Sequence, residues 1–345
     1  MRRVLVTGGT GFVGANLVRR LLRDGHDVHL LVQPAYTTWR LADLRRDVHL
    51  VRADLGDAAA VESAMRRVRP EWVFHLAAYG AYSWQLDLDR MLRTNVVGTV
   101  NLVRAALRRG VDAFVNTGSS SEYGFKDHRP SEREWLEPNS HYAVTKAAAT
   151  QYCCYTAQSE DVHLVTLRLY SVYGPWEEPG RLMPAVVIHA ADGRLPPLVA
   201  PDTARDYVYA DDVCDAYVRA ATRTRQPRGA VYNVGSGRQT TLRQVVAAAR
   251  SALGVRARPA WGSMPNRRWD TTVWVSDPRA IRRALGWRAR TPLAQGLRRM
   301  ADWLGGDAGL ESRYRAAILT ARPARPGQLV RSGRSAVSGR RTPRS

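Results

Sequence analysis

The 345-residue chain has little cysteine: three residues, Cys153, Cys154 and Cys214. No Cys-x-x-Cys pair occurs, and the eight histidines show no i, i+4 spacing. A disulfide framework and a structural zinc site are therefore not expected, and no metal is assigned. Long apolar runs are missing too, none approaching the roughly 20 residues that span a bilayer. Met1-Arg2-Arg3 passes straight into a short apolar run and then glycines, without the apolar core of a signal peptide. A soluble, cytoplasmic protein with no membrane partner is expected. Lysine is nearly missing: of 52 basic residues only Lys126 and Lys146 are lysines. The net charge of +21 is thus an excess of arginine rather than a selected lysine-rich surface. Residues 321–345 hold seven arginines and no acid, are rich in Pro, Gly and Ser, and carry no apolar period. They are expected to form a disordered basic tail. A nucleic-acid partner is not expected, although excess positive charge suits an anionic phosphate ligand.

What is present suffices for a sizeable core, with 45% hydrophobic and 24% charged residues. β-rich runs at Val4–Thr7, Val28–Val32, Val48–Arg52, Trp72–Ala77, Ala113–Thr117 and Leu164–Leu169 alternate with helical patterns at Phe12–Arg23, Ala58–Val68, Leu86–Arg109 and His141–Gln158. This alternation predicts an α/β fold, a doubly wound parallel sheet of Rossmann type. Residues 1–170 are expected to form a dinucleotide-binding domain, with segments of 205–240 returning to it. Residues 171–320 are expected to form a smaller mixed α/β substrate-binding part, with strands at Tyr207–Tyr209 and Val231–Val234. Thr291-Pro292 predicts a helix start with a Thr N-cap and Pro at the first helical position.

Thr7-Gly8-Gly9-Thr10-Gly11-Phe12-Val13-Gly14 follows the first strand and opens a helix. Gly8 permits the tight turn, Gly11 lets backbone approach a pyrophosphate, and Gly14 lets helix pack on strand. The amides near Phe12 and Val13 offer free N–H groups at the positive end of the helix dipole. An acidic residue after the second strand would hold both adenosine ribose hydroxyls. That position falls at neutral Gln33, and Arg40 follows within reach of a 2′-phosphate, so NADP(H) is favoured over NAD(H).

Tyr142 and Lys146 form Y-x-x-x-K on a predicted helix, which places them on one face. With 14 tyrosines and two lysines in the chain, a chance pair is improbable. An ammonium beside a phenol lowers its pKa, so the phenol exchanges a proton near neutral pH. Upstream, Thr117-Gly118-Ser119-Ser120-Ser121-Glu122-Tyr123-Gly124 follows the fifth strand at its carboxyl end, where such sheets bind ligands. Hydroxyls there can hold a substrate oxygen.

The G-x-x-G-x-x-G spacing, the Ser-Tyr-Lys set and Ala204-Arg205-Asp206-Tyr207-Val208-Tyr209 together resemble the extended short-chain dehydrogenase/reductase family, over about residues 3–304. That family includes nucleotide-sugar epimerases, dehydratases and ketoreductases. The resemblance implies that Asp54-Leu55 contacts adenine, that Ala77 and Ala78 in His75-Leu76-Ala77-Ala78 line the cofactor, and that Asn95 lies in its fourth-helix segment and joins the cofactor site. It implies Ser119, Tyr142 and Lys146 as the catalytic set, with Tyr142 and Lys146 also holding the cofactor. Ser119, Ser120 and Ser121 then face substrate. Ser171 stands where an Asn commonly holds the sugar-nucleotide. Arg181 is a phosphate or hydroxyl donor, Arg205 grips the diphosphate, and Arg268 (or Arg267) stands near the same group. Dehydratases of the family carry acids directly after the catalytic Ser or Thr, whereas here those positions are Ser120 and Ser121. Two chemistries remain: reduction of the 4-keto group of a nucleotide-activated deoxysugar, such as a dTDP-4-keto-6-deoxyhexose, or 4-epimerisation of a UDP-sugar on bound NAD. The resemblance also implies a homodimer joined through the Leu86–Arg109 and Tyr142 helices.

Overall fold

Strand and helix alternate along the chain as the apolar pattern dictates. The structure, a computed structural model, describes residues 1–266 and 270–320. β1 (Arg3–Thr7), α1 (Phe12–Arg23), β2 (Asp27–Val32), β3 (His49–Arg52), α2 (Ala58–Val68) and β4 (Trp72–His75) form the first half. A continuous helical stretch follows: α3 (Leu88–Met91), a π-helical turn (Leu92–Val97) and α4 (Gly98–Arg109). β5 (Ala113–Ser119), α5 (His141–Ser159), β6 (Leu164–Leu169), β7 (Ser171–Tyr173) and α6 (Leu182–Ala191) come next. The remainder comprises β8 (Ala204–Arg205), β9 (Tyr207–Tyr209), α7 (Ala210–Thr222), β10 (Val231–Val234), β11 (Thr240–Thr241), α8 (Leu242–Leu253), α9 (Arg279–Leu285), α10 (Leu293–Gly305) and α11 (Ala308–Thr320).

Seven strands make one parallel sheet in the order β10-β6-β5-β4-β1-β2-β3. Chain direction across the sheet reverses between β1 and β4, and the Gly8 turn opens at that switch point. One face is covered by α1 and α7, whose Leu17, Leu21, Val213 and Tyr217 pack on Val4, Val6, Leu30 and Val115. The other face is covered by α2, α4 and α5, through Val61, Met65, Leu102 and Cys153. A third cluster joins α6, α8, α10 and α11 around Tyr173, Val186, Val245, Leu297 and Tyr314. Cys153 is buried, as packing requires.

Local signals explain most helix ends. Asp57 caps α2 by accepting the Ala59 and Ala60 amides, both at 3.0 Å. Thr241 and Gln244 form a reciprocal capping box on α8. The expected start at Thr291-Pro292 is corrected: α10 begins at Leu293, and Pro292 itself, with ψ 148°, is the cap residue without a side-chain bond. The Thr291 amide donates instead to the Asp212 carboxylate at 2.9 Å, as does that of Arg290 at 3.1 Å. A buried carboxylate, not the threonine hydroxyl, anchors this junction.

Gly14 is required by close approach: a Cβ there would lie 2.1 Å from the Gly8 carbonyl oxygen. Gly14→Ala should therefore lower folding stability by about 1–3 kcal/mol in urea denaturation. Gly305→Ala, with open space around it, should be neutral or slightly stabilising. Equal stabilities for the two variants would contradict the packing read here.

Candidate active site

The turn after β1 is built to receive a phosphate. Gly8 has φ +69°, and a Cβ on it would meet the Ala77 nitrogen at 2.6 Å. Gly11 caps α1 with no side-chain bond, which leaves the first amides of the helix, at Phe12 and Val13, facing outward. The Thr7 hydroxyl accepts from the Ala77 amide at 3.2 Å and meets His75 Nδ1 at 2.7 Å. His75 Nε2 meets the Thr99 hydroxyl at 2.9 Å. Burial pulls the His75 pKa down to about 3, so it is a neutral cross-link between β1, β4 and α4. These features fit a dinucleotide whose diphosphate lies on the α1 N-terminus.

Asp54 is exposed; its carboxylate accepts the Gly56 amide at 2.8 Å and an Arg93 guanidinium nitrogen at 3.1 Å, while Leu55 is buried beside it. Ala77 is half-buried and Ala78 exposed, on the loop leaving β4. One cofactor expectation, that for Arg40, is corrected. Asn95 is buried; its amide nitrogen donates to the Tyr79 carbonyl at 2.8 Å and the Thr145 hydroxyl at 2.9 Å, and its oxygen accepts the Tyr79 amide at 2.8 Å. It positions the 77–80 loop against α5. Arg40 is not available to a 2′-phosphate. Buried, it donates to the Trp176 carbonyl and the Glu178 carboxylate, both at 2.8 Å, and lies 4.1 Å over Trp39. Gln33 is exposed at the end of β2.

At the carboxyl end of β5, Ser119 caps a short 3₁₀ turn, Ser120–Tyr123. Its hydroxyl lies 2.8 Å from that of Ser121 and acts on the Tyr142 phenol, lowering its pKa. Ser120 is buried and lines a separate small cavity with Tyr170, Trp274 and His128. Lys146, one turn along α5 from Tyr142, is buried, and no described residue hydrogen-bonds its ammonium. The expected ammonium–phenol effect is corrected as well. Burial pushes Tyr142 up to about 12, opposed by the Ser119 hydrogen bond and weakly by Arg181. Burial lowers the Lys146 pKa. The unliganded phenol is thus protonated at neutral pH.

Behind Ser119 stands Glu122, fully buried. Its carboxylate accepts the Ser119 amide at 2.7 Å, the Thr150 hydroxyl at 3.1 Å and Arg168 Nε at 2.8 Å. Arg168 also reaches the Tyr123 hydroxyl at 2.9 Å. Sequence reasoning gave these two charges no role; their only signal was a lone acid and a lone base at positions that must be covered by the sheet.

Across the site, Arg181 caps α6 and its charge acts on Tyr82, Tyr142 and Tyr207. Arg205 pairs with Asp270 at 3.0 Å and lies 5.6 Å over Trp274. Ser171 opens β7, where its amide donates to the Asp206 carbonyl at 3.0 Å. Arg268 and Arg267 lie outside the described residues. Glu177, which sequence reasoning left unassigned, is buried, with Oε2 unbonded among the described residues and Oε1 3.8 Å from Arg181 Nε.

The model of the NAD dependent epimerase/dehydratase family matches residues 4–235. The chain belongs to this family. Among curated relatives, a UDP-glucose 4-epimerase of Mycolicibacterium smegmatis is 33% identical over 87% of this chain and 98% of its own. A dTDP-glucose 4,6-dehydratase of Streptomyces griseus is 32% identical over 87% of this chain and 93% of its own. The Thermotoga maritima UDP-glucose 4-epimerase structure with UDP-glucose superposes with TM-score 0.78 at 26% identity, covering 88% of this chain and 98% of that one. The Thermus thermophilus UDP-glucose 4-epimerase complex with NAD gives TM-score 0.75 at 31% identity, covering 87% and 98%. As an epimerase/dehydratase-family enzyme, the protein carries the Rossmann-like sheet of its relatives, and no described helix is long and apolar enough to cross a membrane.

Burial pushes the Glu177 carboxyl up to about 8, with Arg181 opposing. A carboxyl raised in the fold contributes stability in its neutral form, which is lost as pH rises from the unfolded value toward 8. Glu177→Gln should therefore flatten the fall in Tm between about pH 5 and 8 while changing little at the acid end. A Tm–pH curve parallel to that of the parent would contradict this.

Proposed function

We propose that this family member exchanges hydride at C4 of a nucleotide-activated sugar without losing water, and that its net reaction is reduction of a 4-keto group on a deoxysugar such as a dTDP-4-keto-6-deoxyhexose. One observation carries this reading: the Ser119 hydroxyl acts on the Tyr142 phenol, with hydroxyls rather than carboxylates at positions 120 and 121. Ser119 and Tyr142 donate to the keto oxygen, and Tyr142 gives its proton to the developing alkoxide. A bound nicotinamide supplies the hydride. The buried Lys146 ammonium holds the cofactor ribose, and charge-assisted bonds from Arg181 and Arg205 hold the diphosphate. The α1 N-terminus takes the cofactor diphosphate at Gly11, Phe12 and Val13.

A second reading, 4-epimerisation on retained NAD, is supported by Arg40. With that guanidinium held by Trp176 and Glu178, NADP(H) loses the positive partner on which its preference rested, and NAD(H) becomes the favoured cofactor. Likeness to 4-epimerases, one in complex with NAD, points the same way. Exposed Leu88, Leu92, Val97, Val144 and Tyr155 on α3 to α5 support a homodimer through these helices.

Purified protein supplied with a dTDP-4-keto-6-deoxyhexose should consume reduced nicotinamide in proportion to substrate. Interconversion of UDP-glucose and UDP-galactose with no added cofactor would establish the second reading instead. Turnover in neither assay, across 4-keto and 4-hydroxy nucleotide sugars, would overturn both.

A further inference from the structure

At the amino ends of β2 and β3, away from the Gly8 turn, three metal-type side chains converge. Asp27 and His29 are two residues apart in β2 and therefore share one sheet face. His49 opens β3 as the direct register partner of His29. The two imidazoles stack at 4.7 Å, 26° apart. His29 Nε2 lies 3.2 Å from Asp27 Oδ2, and His49 Nε2 lies 3.4 Å from Asp27 Oδ1. All the ligand atoms fall within 4.8 Å of one another. Zinc bonds of about 2.0–2.1 Å place tetrahedral ligand atoms about 3.3–3.4 Å apart, which is the spacing of the His49–Asp27 Oδ1 edge here.

We propose that Asp27, His29 and His49 form a three-ligand site for a divalent cation of the zinc type, with water as the fourth ligand. The side chains range from 16% exposed at His29 to 66% at His49, so the site is anchored inside and open outside. A cavity of about 290 Å³ lined by His29, His49, Val51, Arg67 and Val68 adjoins the cluster. The C-terminal end of α2 lies there, and its carbonyl dipole favours a cation. Two arginines oppose it: Arg3 Nε lies 3.3 Å from Asp27 Oδ2, and Arg67 lines the cavity. Arg3 takes Oδ2 and leaves Oδ1 on the His49 side. Sequence spacing could not show this site, because strand pairing joins residues 20 positions apart. A bound ion would clip the edge strand β3 to β2.

The test uses chelator-treated full-length protein, titrated with Co²⁺ by visible absorption and with Zn²⁺ by calorimetry. One Co²⁺ per chain should bind with the intense bands of four-coordinate cobalt, and Zn²⁺ should displace it. His49→Ala, at an exposed position, and Asp27→Asn should each weaken binding by about tenfold or more while keeping the metal-free melting curve of the parent. Zn²⁺ should raise Tm in the parent and not in His49→Ala. Absence of the cobalt bands, or binding by both variants as tight as that of the parent, would overturn the proposal.

Discussion

The site depends on one buried charge pair. Glu122 and Arg168 meet at 2.8 Å with no solvent around either. Desolvating both is expensive, and such a pair survives only when every remaining donor and acceptor is satisfied. Ser119, Thr150 and Tyr123 supply those bonds. The consequence is positional: the carboxylate grips the Ser119 amide, and so fixes the hydroxyl that Tyr142 meets. β5, β6 and α5 are held together at the point where reaction is proposed. Removing one member would strand its partner's charge.

The surrounding polar groups divide by the same logic. His75 and Asn95 are fully engaged with backbone and hydroxyl partners, and hold the loop after β4. Lys146 is buried, and burial lowers its pKa, a cost that a ligand sharing the ammonium would offset. The phenol of Tyr142 is raised rather than lowered in the unliganded protein. The acid form stands ready, which is the form that protonates an alkoxide.

Much of this was legible in the sequence, and the limit is physical. The β–α alternation, the glycine turn and Y-x-x-x-K are set by contacts a few residues apart, so spacing reveals them. Arg40 was misread because its partners, Trp176 and Glu178, are more than 130 residues away and arrive through folding. Glu122 and Arg168 look like surface charges until the sheet covers them, and Glu177 until the loop after β7 folds onto α11. Thr291 failed as a cap because Asp212 competes for the same junction.

The most direct measurement is the turnover of Tyr142→Phe, which keeps the ring and removes the proton. With cofactor affinity and Tm unchanged, hydride transfer at sugar C4 should fall by about 10²-fold or more. A variant that turns over at the parent rate would contradict the central claim that this phenol carries the proton.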